Sequence, residues 1–131
     1  MLDEKYYRAE KDDYFISTDP SLLNVDTIHH YLSGESYWAK KIPREVVEKS
    51  SENSLCFGMY HSDKQIGFAR LITDRSIFAY LADVFIVEEQ RGKGLSKWLM
   101  QVIHAHPELQ GLRRWVLGTR DAHGLYEQFG W

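Results

Sequence analysis

The sequence predicts a mixed α/β fold, an α+β sheet whose early strands are antiparallel and whose last pair is parallel. Three observations point to it. Three strand-like runs, 55–60, 65–73 and 77–87, apolar apart from Gln65, Arg70, Thr73 and Asp83, are separated only by short turns, so they return as hairpins. A strongly amphipathic stretch, 95–103, then separates the third run from a fourth at 115–117. Such a strand–helix–strand unit returns parallel. Finally, 131 residues with 44% hydrophobic side chains suffice for one core and are short for two, so residues 1–131 read as a single domain.

Each element has a local cause. Residues 1–13 are heavily charged and are expected to fray. Tyr14-Phe15-Ile16 forms a first strand, closed by the turn Thr18-Asp19-Pro20. Asn24 caps a helix whose apolar positions Val25, Ile28, Tyr31 and Leu32 follow helical spacing, with Gly34 placed to end it. A second, short helix opens at Pro43, which a first turn tolerates, and carries Val46 and Val47 inward. Leu55–Tyr60 and Gln65–Thr73 form a hairpin across His61–Lys64, and Asp74-Arg75-Ser76 turns into the long apolar run Ile77–Val87. A strand that long should be central. Leu95, Trp98, Leu99, Val102 and Ile103 define one face of the next helix, which Pro107 stops. Trp115-Val116-Leu117 is a short strand and Ala122–Phe129 a closing helix.

Composition excludes several function classes. With 16 basic against 19 acidic side chains, the net charge of −3 lacks the footprint that nucleic-acid binding requires. No run of eighteen apolar residues marks a membrane span, and the charged start does not read as a signal peptide. The one cysteine, Cys56, sits between Leu55 and Phe57 and reads as a small buried hydrophobe. A cytoplasmic location fits this usage. His29-His30 and His104-x-His106 lack the acid or cysteine neighbours of a metal site, so no metal is expected.

The most informative stretch is Arg91-Gly92-Lys93-Gly94-Leu95-Ser96, at a strand-to-helix junction. The first turn of a helix leaves backbone N–H groups unpaired, and glycines let a ligand approach them, so a pyrophosphate suits this loop. Arg91, Lys93 and Lys97 add positive charge. The plain alternative is a tight turn with solvated basic residues. Neither the P-loop pattern nor a full G-x-G-x-x-G is present.

These residues resemble the GNAT (Gcn5-related) N-acetyltransferases. Their central motif is a long strand, a loop of form Q/R-x-x-G-x-G/A and an amphipathic helix, matched here by 83–87, 89–94 and 95–103. A second match lies in Thr119 to Trp131, which resembles the family's closing Asn-x-x-Ala-x-x-Leu-Tyr and Gly-Phe segment. Glu89, Thr119 and Trp131 depart from the commonest residues at their positions. Members usually continue with further strands, so a chain ending at Trp131 is expected to be longer in nature or to self-associate as a homodimer through the edge of 115–117.

The resemblance implies a GNAT-like acyltransferase fold with a splayed parallel strand pair, and acetyl-CoA as co-substrate. The backbone of Phe85, Ile86 and Val87 would pair with the pantetheine amides, and Arg91, Gly92, Lys93, Gly94, Leu95 and Ser96 would hold the pyrophosphate. Transfer to a primary amine of a small molecule or peptide needs a neutral amine, a polarised carbonyl and a proton for the thiolate. Asp83, an acid inside an apolar strand, is a candidate base, with Glu88 behind it; alternatively Asp83 lies on a solvated face or pairs with Arg70 or Arg120. Tyr126 matches the tyrosine that often protonates the CoA sulfur, or else is a core aromatic. Tyr37 and Trp38 flank the family's acceptor cleft, and Arg70, with Arg75 and Arg120, could meet an acceptor carboxylate. The alternatives are an acyl-CoA-binding module without catalysis and a protein-interaction domain with a structural glycine turn.

Overall fold

The computed structural model describes residues 6–36 and 38–117. They form one six-stranded sheet in sequence order, β1 (Arg8–Lys11), β2 (Tyr14–Ser17), β3 (Leu55–His61), β4 (Lys64–Thr73), β5 (Phe78–Ile86) and β6 (Arg114–Leu117). All neighbours are antiparallel except β5 and β6, which run parallel. Helix α3 (Leu95–Ala105) makes that crossover and covers one face; α1 (Val25–His30) and α2 (Arg44–Glu52) cover the other.

Both faces of β3 and of the first part of β4 are therefore buried, which is why apolar residues occupy both faces there, with Arg70 the charged exception. On the α3 side, Leu71, Ala79 and Leu81 pack against Leu95, Leu99, Met100 and Ile103. On the α1–α2 side, Phe68 and Phe85 pack against Ile28, Tyr31, Leu32 and Val47.

Three expectations need correction. The charged start does not simply fray: Arg8–Lys11 pairs with β2 as an edge strand, where charged side chains are tolerated. Val46 is 47% exposed and only Val47 turns inward, because adjacent helical positions lie about 100° apart and the short α2 buries only a narrow stripe. Gly34 does not end α1. The chain passes through it in a π-helical turn, Tyr31–Glu35, that closes with the Ser36 N–H donating to the Tyr31 carbonyl. The closing helix expected over 122–129 lies outside the described residues, among which no helix is long and apolar enough to cross a membrane.

Candidate active site

The site is built around the last residues of β5. The β5–β6 ladder pairs Phe78 with Arg114 through Leu81 with Leu117, so among the described residues no strand covers the β6-side edge of β5 beyond Leu81. The phase of the strand decides which groups that edge presents. The Val87 N–H donates to the Ile66 carbonyl of β4 at 2.9 Å, which by antiparallel alternation sends Phe85 and Asp83 to β4 and turns the polar backbone of Val84 and Ile86 toward the open side. The Ile86 carbonyl is already engaged there: Arg91 Nε donates to it at 3.0 Å. Of the three residues expected to pair with a ligand, Ile86 alone faces the cleft, and Val84 joins it.

A β-bulge sits at the same place. Arg70 pairs with Asp83 and Leu71 with Leu81, leaving Ala82 as an extra residue on β5. The bulge re-phases the strand, so Phe85, Asp83 and then Tyr80 all turn to the α1–α2 face, whereas Leu81 and Ala79 face α3.

Beyond β5, a single 3-10 turn, Glu88–Gln90, leads into the glycine loop. Gly92 and Gly94 both have positive φ, 81° and 76°, and nothing lies within 4 Å of a Cβ built on either. Glycine is needed here by backbone conformation, and the space it leaves is open. Gly94 is the N-cap of α3, no side chain caps that helix, and its first intrahelical bond is from Trp98 N–H to the Gly94 carbonyl. The N–H groups of Leu95, Ser96 and Lys97 thus face outward at the positive end of the helix dipole. A hollow of about 150 Å³ lies against Ile86, Arg91, Gly92, Gly94, Leu95 and Ser96. Larger hollows of about 610 and 560 Å³ lie elsewhere; the first adjoins the α1 start at Asn24–Asp26, but neither touches the open edge of β5 or the glycine loop.

The basic side chains of the loop act mainly as struts. Besides its bond to Ile86, Arg91 donates from Nη2 to the Tyr31 hydroxyl at 2.6 Å, and the Tyr31 ring stacks on Phe85 with centroids 4.0 Å apart. Lys93 Nζ donates to Gln90 Oε1, which also accepts from the Tyr14 hydroxyl. The loop is pinned to the sheet on both sides, leaving its backbone to meet a ligand.

On the α1–α2 face stands a charge cluster. Arg70 Nε donates to Asp83 Oδ2 at 2.7 Å, with side chains only 15% and 8% exposed, and Arg70 Nη1 donates to the Ser54 hydroxyl at 3.1 Å. The Trp38 indole N–H donates to Asp83 Oδ1 at 2.7 Å. Asp83 therefore adopts the ion-paired alternative with Arg70, holding a tryptophan as well. Cys56, opposite Arg70 in the β3–β4 ladder, is buried, and burial pushes its thiol up to about 12. It stays a thiol near neutral pH and is no nucleophile there.

The sequence model of the acetyltransferase (GNAT) family matches residues 8–131. The chain belongs to the GNAT acetyltransferase family. It is 35% identical over 138 aligned positions to a Gibberella zeae protein named as an acetyltransferase, across 88% of this chain and 77% of that protein. The crystal structure of a GNAT-family acetyltransferase from Xanthomonas campestris pv. campestris is 51% identical and superposes with a TM-score of 0.88, covering 90% of this chain and 83% of the other. A more distant GNAT acetyltransferase from Elizabethkingia anophelis, 14% identical with a TM-score of 0.66, shares the fold over 92% of this chain and 76% of its own, and was crystallised with acetyl-CoA bound.

Within this GNAT fold the expected site residues do not all come together. Ile86, Arg91, Gly92, Gly94, Leu95 and Ser96 come together at one hollow. Asp83, Arg70 and Trp38 meet on the far side of β5. Tyr37, Arg120 and Tyr126 lie outside the described residues. Arg75 is apart from both clusters, paired with Glu108 at 3.0 Å. Two participants had no sequence signal: Val84, whose backbone phase no side chain announces, and Tyr31, which reads simply as a core position of α1.

Proposed function

We propose that the chain transfers acetyl from acetyl-CoA to a primary amine of a small molecule or peptide, by direct attack within a ternary complex. The observation that carries this reading is the convergence, among the described residues, of two backbone surfaces with outward N–H groups, the open edge of β5 at Val84 and Ile86 and the uncapped start of α3 at Gly94. A long ligand with amides at one end and a pyrophosphate further along satisfies both. The amides would add to β5 as a partial strand. The pyrophosphate would take the outward N–H groups of α3.

That placement sets the thioester beside the bulge at Ala82, where β5 leaves β6. The acceptor amine then approaches from the face holding Asp83, Arg70 and Trp38. An ammonium first loses a proton to solvent; the neutral nitrogen forms the N–C bond as the C–S bond breaks, and the amine's second proton leaves while the thiolate gains one. Asp83 Oδ1, which among the described residues accepts from the Trp38 indole alone, is the group that would meet the amine. Its Arg70 partner holds the carboxylate in place. Tyr126, by its family resemblance, would supply the proton to sulfur. The buried Cys56 thiol offers no covalent route, which supports direct attack.

The test is calorimetric titration with acetyl-CoA, followed by turnover across a panel of amines. Saturable binding with acetylated product supports the reading. Binding without turnover leaves an acyl-CoA-binding module, and no binding leaves a structural glycine turn in an interaction domain.

A further inference from the structure

The register places three apolar side chains in one row across the end of the sheet. Ile72 of β4 pairs with Tyr80 of β5, and Tyr80 pairs with Val116 of β6. All three point away from α3, because their neighbours Leu71, Ala79 and Trp115 pack on the α3 side. Neither α1 nor α2 reaches them: Ile72 is 43% and Val116 38% exposed, and Tyr80 is half-buried. Elsewhere on this face the apolar side chains of the central strands are buried.

The row also has a definite place relative to the chemistry. Tyr80 precedes Leu81, the last residue of β5 that pairs with β6, and stands two residues before the bulge at Ala82. Because the bulge re-phases β5, Tyr80 and Asp83 share a face, with Trp38 over Asp83. An acceptor reaching the amine position from this face lies across Tyr80, with Ile72 and Val116 on either side.

We infer that the acceptor is an amine carrying an apolar body, aromatic or branched alkyl, that rests on Ile72, Tyr80 and Val116 while its nitrogen meets Asp83. This inference rests on the acetyl-transfer reading above and names its substrate class. The row is about 10 Å wide, two strand spacings, which suits one ring or a branched chain. Three side chains fall well short of the roughly 20–30 residues that each partner contributes to a stable protein interface. A small apolar group fits it better than a second copy of the chain.

The experiment compares phenethylamine with glucosamine as acceptors, following CoA thiol release, in the wild type and in Val116→Thr and Ile72→Asp. Loss of one apolar contact in such a pocket changes discrimination by about tenfold or more. The wild type should favour phenethylamine in kcat/KM by at least about tenfold, and Val116→Thr, a near-isosteric change compatible with a strand, should raise the KM for phenethylamine severalfold. Its acetyl-CoA affinity and its KM for glucosamine should not move. Acetyl-CoA binding with equal or reversed preference overturns the inference alone, as does an unchanged KM in Val116→Thr. Absence of acetyl-CoA binding overturns the underlying reading and the inference with it. Light scattering supplies the last arm: a wild-type dimer that Ile72→Asp dissociates would assign the row to a second copy instead.

Discussion

Replacing Gly94 by alanine separates backbone strain from ligand contact, because the fold contains its own control. Gly94 and Gly111 share a φ of 76°, and a Cβ at either meets nothing within 4 Å. Both substitutions therefore force an L-residue into the left-handed region, at about 1–2 kcal/mol, without a clash. Thermal melts should show similar losses for the two, about 3–6 °C for a chain of this size. Only Gly94 caps the α3 start. There the new methyl group occupies the open space through which a phosphate would reach the N–H groups. Losing one hydrogen bond to a charged group costs about 1.5–3 kcal/mol, which is roughly ten- to a hundredfold in affinity. Calorimetry with CoA should show that loss in Gly94→Ala and wild-type affinity in Gly111→Ala. Equal affinities in the two variants, at equal stability loss, would refute the phosphate-cradle reasoning.

Other perturbations test the rest of the site. Asp83→Asn leaves the buried Arg70 guanidinium without its counter-charge, so the urea midpoint should fall by the equivalent of about 3–5 kcal/mol; loss of turnover at unchanged stability would instead mark a free base. Cys56 should resist iodoacetamide at pH 8 in the native protein and react once unfolded, and rapid native labelling would contradict its burial. Because the folded thiol titrates at about 12 against an ordinary 9.0, its contribution to stability is complete below pH 9 and is lost as pH rises toward 12. Cys56→Ala should flatten that alkaline decline in a urea-denaturation series. Tyr126→Phe removes only the hydroxyl and should lower kcat by roughly 10²-fold with little change in acetyl-CoA affinity; a wild-type kcat under chemistry-limited conditions would remove the proton-donor role.

Side-chain pattern announced more of this fold than of its site. The amphipathic spacing of Leu95, Trp98, Leu99, Val102 and Ile103 identified α3, and all five are buried. The glycine pair marked the loop because its conformation demands glycine, a requirement written directly in residue type. Val84 went unread for the opposite reason. Its contribution is a backbone direction set by the β4 register, and any residue in that phase would present the same groups. The bulge at Ala82 was hidden likewise, since an apolar run from 77 to 87 looks continuous whether or not one residue is extra. Without it Asp83 would share a face with Leu81. Its pairing with Arg70 was legible only as one of several options, because register decides which acid meets which base. β1 was missed because the charges of an edge strand look like those of a disordered tail.

Residue-resolved amide exchange, with and without acetyl-CoA, tests the central claim most directly. The Val84 and Ile86 N–H groups face the open edge of β5, whereas the Val87 N–H is already bonded to Ile66 and the phase assigns those of Phe85 and Asp83 to β4. If the donor adds to β5 as a partial strand and its pyrophosphate takes the α3 start, exchange at Ile86 and at Leu95 to Lys97 should slow by at least about tenfold on binding, with Val84 following if a second amide reaches it. Asp83, Phe85 and Val87 should change little. Saturating acetyl-CoA that leaves Ile86 and the α3 start unprotected would contradict the account.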